Sequence, residues 1–62
     1  MPRFIYTFEN GEFSTFAKGP DAQDEARKRM LAETDSQESD EGVVSSKLGV
    51  LKSAEVNFGA QE

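Results

Sequence analysis

Arg3-Phe4-Ile5-Tyr6-Thr7-Phe8-Glu9-Asn10-Gly11-Glu12-Phe13-Ser14-Thr15-Phe16-Ala17-Lys18 is the stretch that decides the fold. Its two arms, 3–8 and 12–17, are rich in aromatic and β-branched residues, which suit a pleated, half-buried surface. Asn10-Gly11 between them is the pair that best tolerates the positive φ values of a type I′ turn. The pattern predicts a β-hairpin. A two-residue turn at Asn10-Gly11 pairs Phe8 with Phe13, Tyr6 with Thr15, Ile5 with Phe16 and Phe4 with Ala17. One face then carries Phe4, Tyr6, Phe8, Phe13, Thr15 and Ala17, and the other Ile5, Thr7, Ser14 and Phe16. A three-residue loop would turn every side chain of the second arm to the opposite face, and the first register is preferred because it gathers the aromatics. In that register Glu9 faces Glu12 across the turn, and Arg3 and Lys18 are neighbours at the open end.

Gly19-Pro20 ends the hairpin and opens a helix predicted over Pro20–Glu33, because Pro fits the first helical position. Asp21, Asp24 and Glu25 lie toward the positive end of the helix dipole, and Arg27, Lys28 and Arg29 follow. Asp24–Lys28 and Glu25–Arg29 have the i,i+4 spacing of helix ion pairs. The apolar stripe is narrow, with Ala22, Ala26 and Met30 in line and Leu31 to one side, so the helix covers a sheet and is not itself buried.

The net charge of −5 is local. Residues 33–42 hold Glu33, Asp35, Glu38, Asp40 and Glu41 with no base, and the other seven acids balance the seven Lys and Arg. Polar, acidic and without periodicity, residues 34–41 are expected to be a mobile connector. In 43–52, Val44, Ser46, Leu48 and Val50 alternate as in a strand, while Val44, Leu48 and Leu51 also fit a helix. Gly49 and the β-branched residues favour strand. Ala54, Val56 and Phe58 suggest a last short strand, and 59–62 a frayed tail.

The expected fold is therefore α+β: an antiparallel sheet of three to four strands with one helix packed on one face, in a single small domain over 1–62. A chain of 62 residues buries only about 60% of the surface its unfolded form exposes. It holds no Cys and no His, so disulfides are excluded and zinc, haem and iron–sulfur sites lose their usual ligands. No cofactor or metal is expected. No apolar run approaches the ~18 residues of a membrane span, and no signal-like stretch opens the chain, so a cytoplasmic protein without membrane contact is expected.

The same two absences remove the commonest general base and the thiol nucleophile, and no Gly-x-Ser-x-Gly elbow or phosphate loop is present. The expected function is non-enzymatic protein binding, as an adaptor, antitoxin-like or inhibitor protein acting through a sheet face or an edge strand. A hairpin apolar on both faces leaves one face uncovered by a single helix, which makes Ile5, Tyr6 and Phe16 the interface candidates and a homodimer the expected state. Nucleic-acid binding is the alternative, with Arg3, Lys18, Arg27, Lys28 and Arg29 as contacts and strand aromatics to stack on bases. A further alternative is an inhibitor whose acids Asp35, Glu38, Asp40 and Glu41 stand in for phosphates. The order hairpin, Gly-Pro, acidic and alanine-rich helix resembles the start of small antitoxin-like ββαβ domains, over about half the chain and with no site residue implied.

Overall fold

The computed structural model of the protein describes residues 2–58, so the expected tail at 59–62 lies outside the described residues. The elements are β1 (Arg3–Phe8), β2 (Gly11–Phe16), α1 (Ala22–Glu33), β3 (Ser36–Ser39), β4 (Gly42–Ser45) and β5 (Gly49–Asn57). They form one helix and a five-stranded antiparallel sheet of order β2-β1-β5-β4-β3. The α+β class agrees with the sequence reading, and the sheet is larger than the three to four strands expected. The last strand enters between two hairpins and is the central one.

Side-chain alternation along β1 places Phe4, Tyr6 and Phe8 on one face, where they are buried with Ala22, Ala26 and Met30 of the helix. Ala26 and Met30 are fully enclosed, so the small residues bring the helix close and Met30 fills the gap left between them. Ala17 and Val43 complete the buried core, and Phe13, Leu31, Leu48, Leu51 and Val56 pack around it half-buried. Burying a side chain the size of Phe or Met contributes roughly 1.5–3 kcal/mol, so this single layer is the main stabilising term.

The first hairpin forms, but two residues away from the expected register. Phe8 faces Gly11, Tyr6 faces Phe13 and Phe4 faces Thr15, with Glu9 and Asn10 in the turn. An even shift keeps each side chain on its face, so the grouping of Phe4, Tyr6, Phe8, Phe13 and Thr15 stands. The new pairings separate Glu9 from Glu12, which faces Thr7, and put Arg3 opposite Phe16 and not Lys18. Packing explains the shift. A Cβ on Gly11 would lie 2.9 Å from Leu48 Cδ2, so Gly11 serves the approach of Leu48 and not a positive φ. The turn is tied down by Glu9 N–H donating to the Val50 carbonyl (2.9 Å) and Asn10 N–H to the Leu48 carbonyl (2.8 Å).

Residues 43–52 are neither one strand nor a helix. β4 stops at Ser45, residues 46–48 turn, and β5 then runs as one strand from Gly49 to Asn57, taking in most of the short strand expected at 54–58. The buried Ser45 hydroxyl accepts the N–H groups of Lys47 (3.0 Å) and Leu48 (2.9 Å), which bends the chain where alternation alone would carry it straight on. It also donates to the Thr34 carbonyl at 2.6 Å, at the end of the helix.

The segment 34–41, expected as a connector without regular structure, contains β3 and a two-residue turn at Asp40-Glu41. Ser36–Ser39 pairs residue by residue with β4, whose Val43 and Ser45 supply the buried side chains that β3 lacks. Asp35, at φ 53, reverses the chain after the helix, and its side chain accepts the Ser46 hydroxyl at 2.9 Å. The helix itself begins at Ala22, two residues after Pro20. Its expected internal ion pairs are not formed. Among the described residues the ion pair is Arg27–Glu38, helix to β3, and Arg29 donates to the Phe16 carbonyl at 2.6 Å.

Two predictions follow from these contacts. Ser45→Ala leaves a buried carbonyl and two turn N–H groups without a partner, and is expected to cost about 2 kcal/mol. Thermal unfolding followed by circular dichroism should show a drop of roughly 10 °C, against a near-zero change for the exposed Ser53→Ala. In a double-mutant cycle, Gly11→Val and Leu48→Ala should couple by about 1 kcal/mol, the double variant being more stable than the sum of the singles predicts. Strict additivity would show that Leu48 does not set the hairpin register.

Candidate interaction surface

The sheet has a helix on one face only, and the other face is built by the opposite parity of each strand. β1 gives it Arg3, Ile5 and Thr7; β2 gives it Glu12, Ser14 and Phe16. Val44 of β4 and Val50 of β5 are cross-strand partners on it. Phe16 is 47% exposed, Val44 40% and Val50 38%, while Ile5 is half-buried among its neighbours. The apolar surface thus falls in two places, Ile5 with Phe16 at the β2 side and Val44 with Val50 at the β4 side, with Ser53 and Glu55 of β5 exposed between.

Of the three interface candidates, the structure brings together Ile5 and Phe16 and separates Tyr6. Tyr6 points to the helix face, is 5% exposed, and lines an open groove of about 450 Å³ beside the N-terminal half of the helix. Phe4, Ala22, Arg27, Ala54 and Val56 share this groove, which exists because the helix packs chiefly on β1, β2 and β3 and leaves the end of β5 uncovered. Burial raises the Tyr6 phenol above its ordinary pKa, and the positive charge of Arg27 opposes that shift.

The five basic candidates do not form one patch. Arg3 lies on the open face, donating to the Ser14 hydroxyl at 3.3 Å with its Cζ 5.9 Å from the centre of the Phe16 ring. Arg27 pairs with Glu38, and Arg29 holds the Phe16 carbonyl. Lys18 and Lys28 flank a shallow surface shared with Asp21, Asp24 and Glu25, so acids offset them locally. The four acidic candidates are spread as well. Asp35 is bound to Ser46, Glu38 to Arg27, and Asp40 and Glu41 form the β3–β4 turn. One member of the basic set and one of the acidic set therefore neutralise each other.

Val44 and Val50 escaped the sequence reading as surface residues. The signal was present, since Val44 alternates with Val43 and Ser45, but assigning Val50 to the same face requires the turn at 46–48 to be known. Glu12, which the expected register set opposite Glu9, instead faces Thr7 on this surface. Among the described residues no cluster of three His, Cys, Asp or Glu is placed to hold a metal ion, and no helix is long and apolar enough to cross a membrane.

No protein-family model, curated protein or solved structure matches this chain.

Proposed function

We propose that the protein is a non-enzymatic protein-binding module that docks its partner on the helix-free face of the sheet and along a free sheet edge. The observation that carries the reading is the exposure of Phe16, Val44 and Val50 on the face opposite the helix. In a chain with so few large apolar residues, placing three of them in water costs stability that covering them in a complex would return. The absence of His and Cys from the sequence supports a binding role over catalysis. A homodimer is the simplest assembly of this kind, since a second copy always presents a matching surface.

Protein is favoured over nucleic acid because the basic side chains lack a common stripe. Phosphate binding draws on clustered, unpaired positive charge, whereas Arg27 is committed to Glu38 and Lys18 and Lys28 sit among acids. The acidic-mimic alternative is likewise less well supported, since Glu38 and Asp35 already have partners within the chain.

The protein is expected to flow through heparin and DNA columns at low salt, where salt-sensitive retention would promote nucleic acid. Proteins retained by the immobilised chain should be lost with Val44→Lys/Val50→Lys, a pair whose side chains are already exposed and whose fold can be checked by circular dichroism. The same set of proteins retained equally by the folded double variant would sink the docking face.

A further inference from the structure

The sheet has two edges, β2 and β3, and they differ in how far they are closed to pairing. β3 has four residues, carries Glu38 and ends at Asp40-Glu41, so it is short and acidic. β2 has six residues, keeps unbroken register with β1, and contains neither proline nor a basic residue. Those are the devices by which edges are normally blunted, and β2 has only Glu12 among them.

Hydrogen-bond parity says which backbone groups of β2 are free. Ala17 N–H donates to the Pro2 carbonyl, and Phe8 faces Gly11 across a two-residue turn, so Gly11, Phe13 and Thr15 bond to β1. Glu12, Ser14 and Phe16 therefore turn their N–H and C=O groups outward. Arg29 reaching the Phe16 carbonyl from outside the hairpin agrees with this parity. That carbonyl keeps a second lone pair.

Arg3 and Glu12 on the open face are complementary between copies, while Glu55, diagonal to Arg3 on β5, forms no ion pair with it among the described residues. Arg3 lies across β2 on Ser14 and the Phe16 ring, and neither Arg3 nor Glu12 has an ion-pair partner among the described residues. Within one chain Arg3 faces Phe16 while Glu12 faces Thr7, four positions along the ladder and about 13 Å away.

We propose that β2 pairs antiparallel with β2 of a second copy about a twofold axis at Ser14, joining the two sheets edge to edge. The proposal rests on the protein-binding reading and names its partner. In this register Ser14 faces the partner's Ser14, and Glu12 faces the partner's Phe16, over which the partner's Arg3 is held. Both strands use all three outward residues, giving about six backbone hydrogen bonds, and symmetry supplies two Glu12–Arg3 pairs. Centring on Glu12 would oppose like charges, and centring on Phe16 would leave Glu12 beyond the partner strand.

Sedimentation equilibrium over a wide concentration range tests the assembly. The native chain is expected to dimerise, and Ser14→Pro to be monomeric with an unchanged fold, because proline there removes an outward N–H and none that bonds to β1. Glu12→Arg is expected to weaken the dimer about tenfold by facing the partner's Arg3, and Arg3→Glu/Glu12→Arg to restore it. That rescue requires a contact between copies and stands even if Ser14→Pro fails to fold. A monomer at every concentration would overturn the proposal, as would a dimer indifferent to Glu12→Arg. A dimer abolished by Val44→Lys/Val50→Lys but untouched by Glu12→Arg and Ser14→Pro would overturn edge pairing while leaving the docking face intact.

Discussion

The Ser45 hydroxyl is buried and fully used: it donates to the Thr34 carbonyl and accepts the N–H groups of Lys47 and Leu48. Three parts of the chain meet on that one oxygen. The bond to Thr34 fixes the end of the helix against β4, and Thr34 is itself held by its own hydroxyl on the Met30 carbonyl at 2.5 Å. The two accepted bonds turn the chain between β4 and β5, and so deliver Leu48 and Gly49 to the tip of the first hairpin. There Leu48 fills the space above Gly11, and its carbonyl receives the Asn10 N–H. A polar group in so small a core is costly unless every bond is made; here one bond reaches back eleven residues to the helix end and the other two bend the chain locally.

How much of this was legible in the sequence depends on how local each cause is. The β1–β2 hairpin and the helix stripe of Ala22, Ala26 and Met30 are local patterns, and both were readable. The hairpin register was not, because the Asn10-Gly11 signal competes with a contact from Leu48, thirty-seven residues beyond Gly11. The error of two positions left the faces right, since parity survives an even shift. Ile5 and Phe16 could therefore be placed together on the open face, whereas Tyr6, of the other parity, belongs to the helix side. β3 was illegible because an edge strand can borrow its stability. Its own four residues bury little, and its ladder to β4 depends on Val43 and Ser45 across the turn. The meeting of Arg27 with Glu38 is tertiary in the same sense, and no spacing in the sequence announces it.

The position of β5 explains why one helix leaves so much of the sheet open. A central nine-residue strand flanked by two hairpins makes a sheet wider than a single helix can span. The helix keeps to β1, β2 and β3, so the end of β5 is bare even on the covered side, where Tyr6, Ala54 and Val56 border the groove. The opposite face has no cover at all among the described residues. What keeps it in water is the composition of the strands between the apolar sites. Ser53, Glu55 and Thr7 separate Ile5 and Phe16 from Val44 and Val50, so the apolar area is divided and no single patch grows large. Two small apolar sites on one polar face suit a partner that is recognised by position, with polar contacts filling the middle, better than one held by bulk hydrophobic area.

The unequal edges bear on how far any pairing could extend. A sheet with two open edges can add copies at both and grow without limit, while a sheet with one open edge stops when that edge is used. β3 is short, ends in Asp40-Glu41, and carries Glu38 already engaged with Arg27; a second β3 brought alongside would set these acids against their own copies. β2 lacks such repulsion in the Ser14-centred register, because its one acid then meets aromatic and basic side chains. Three of the five acids of residues 33–42, Glu38, Asp40 and Glu41, thus lie on the edge where pairing would be open-ended, and β2 carries one acid on the other edge. In the fold the acidic segment forms an outer strand of the sheet, and under the proposed β2 pairing its charge would oppose a second copy on that side.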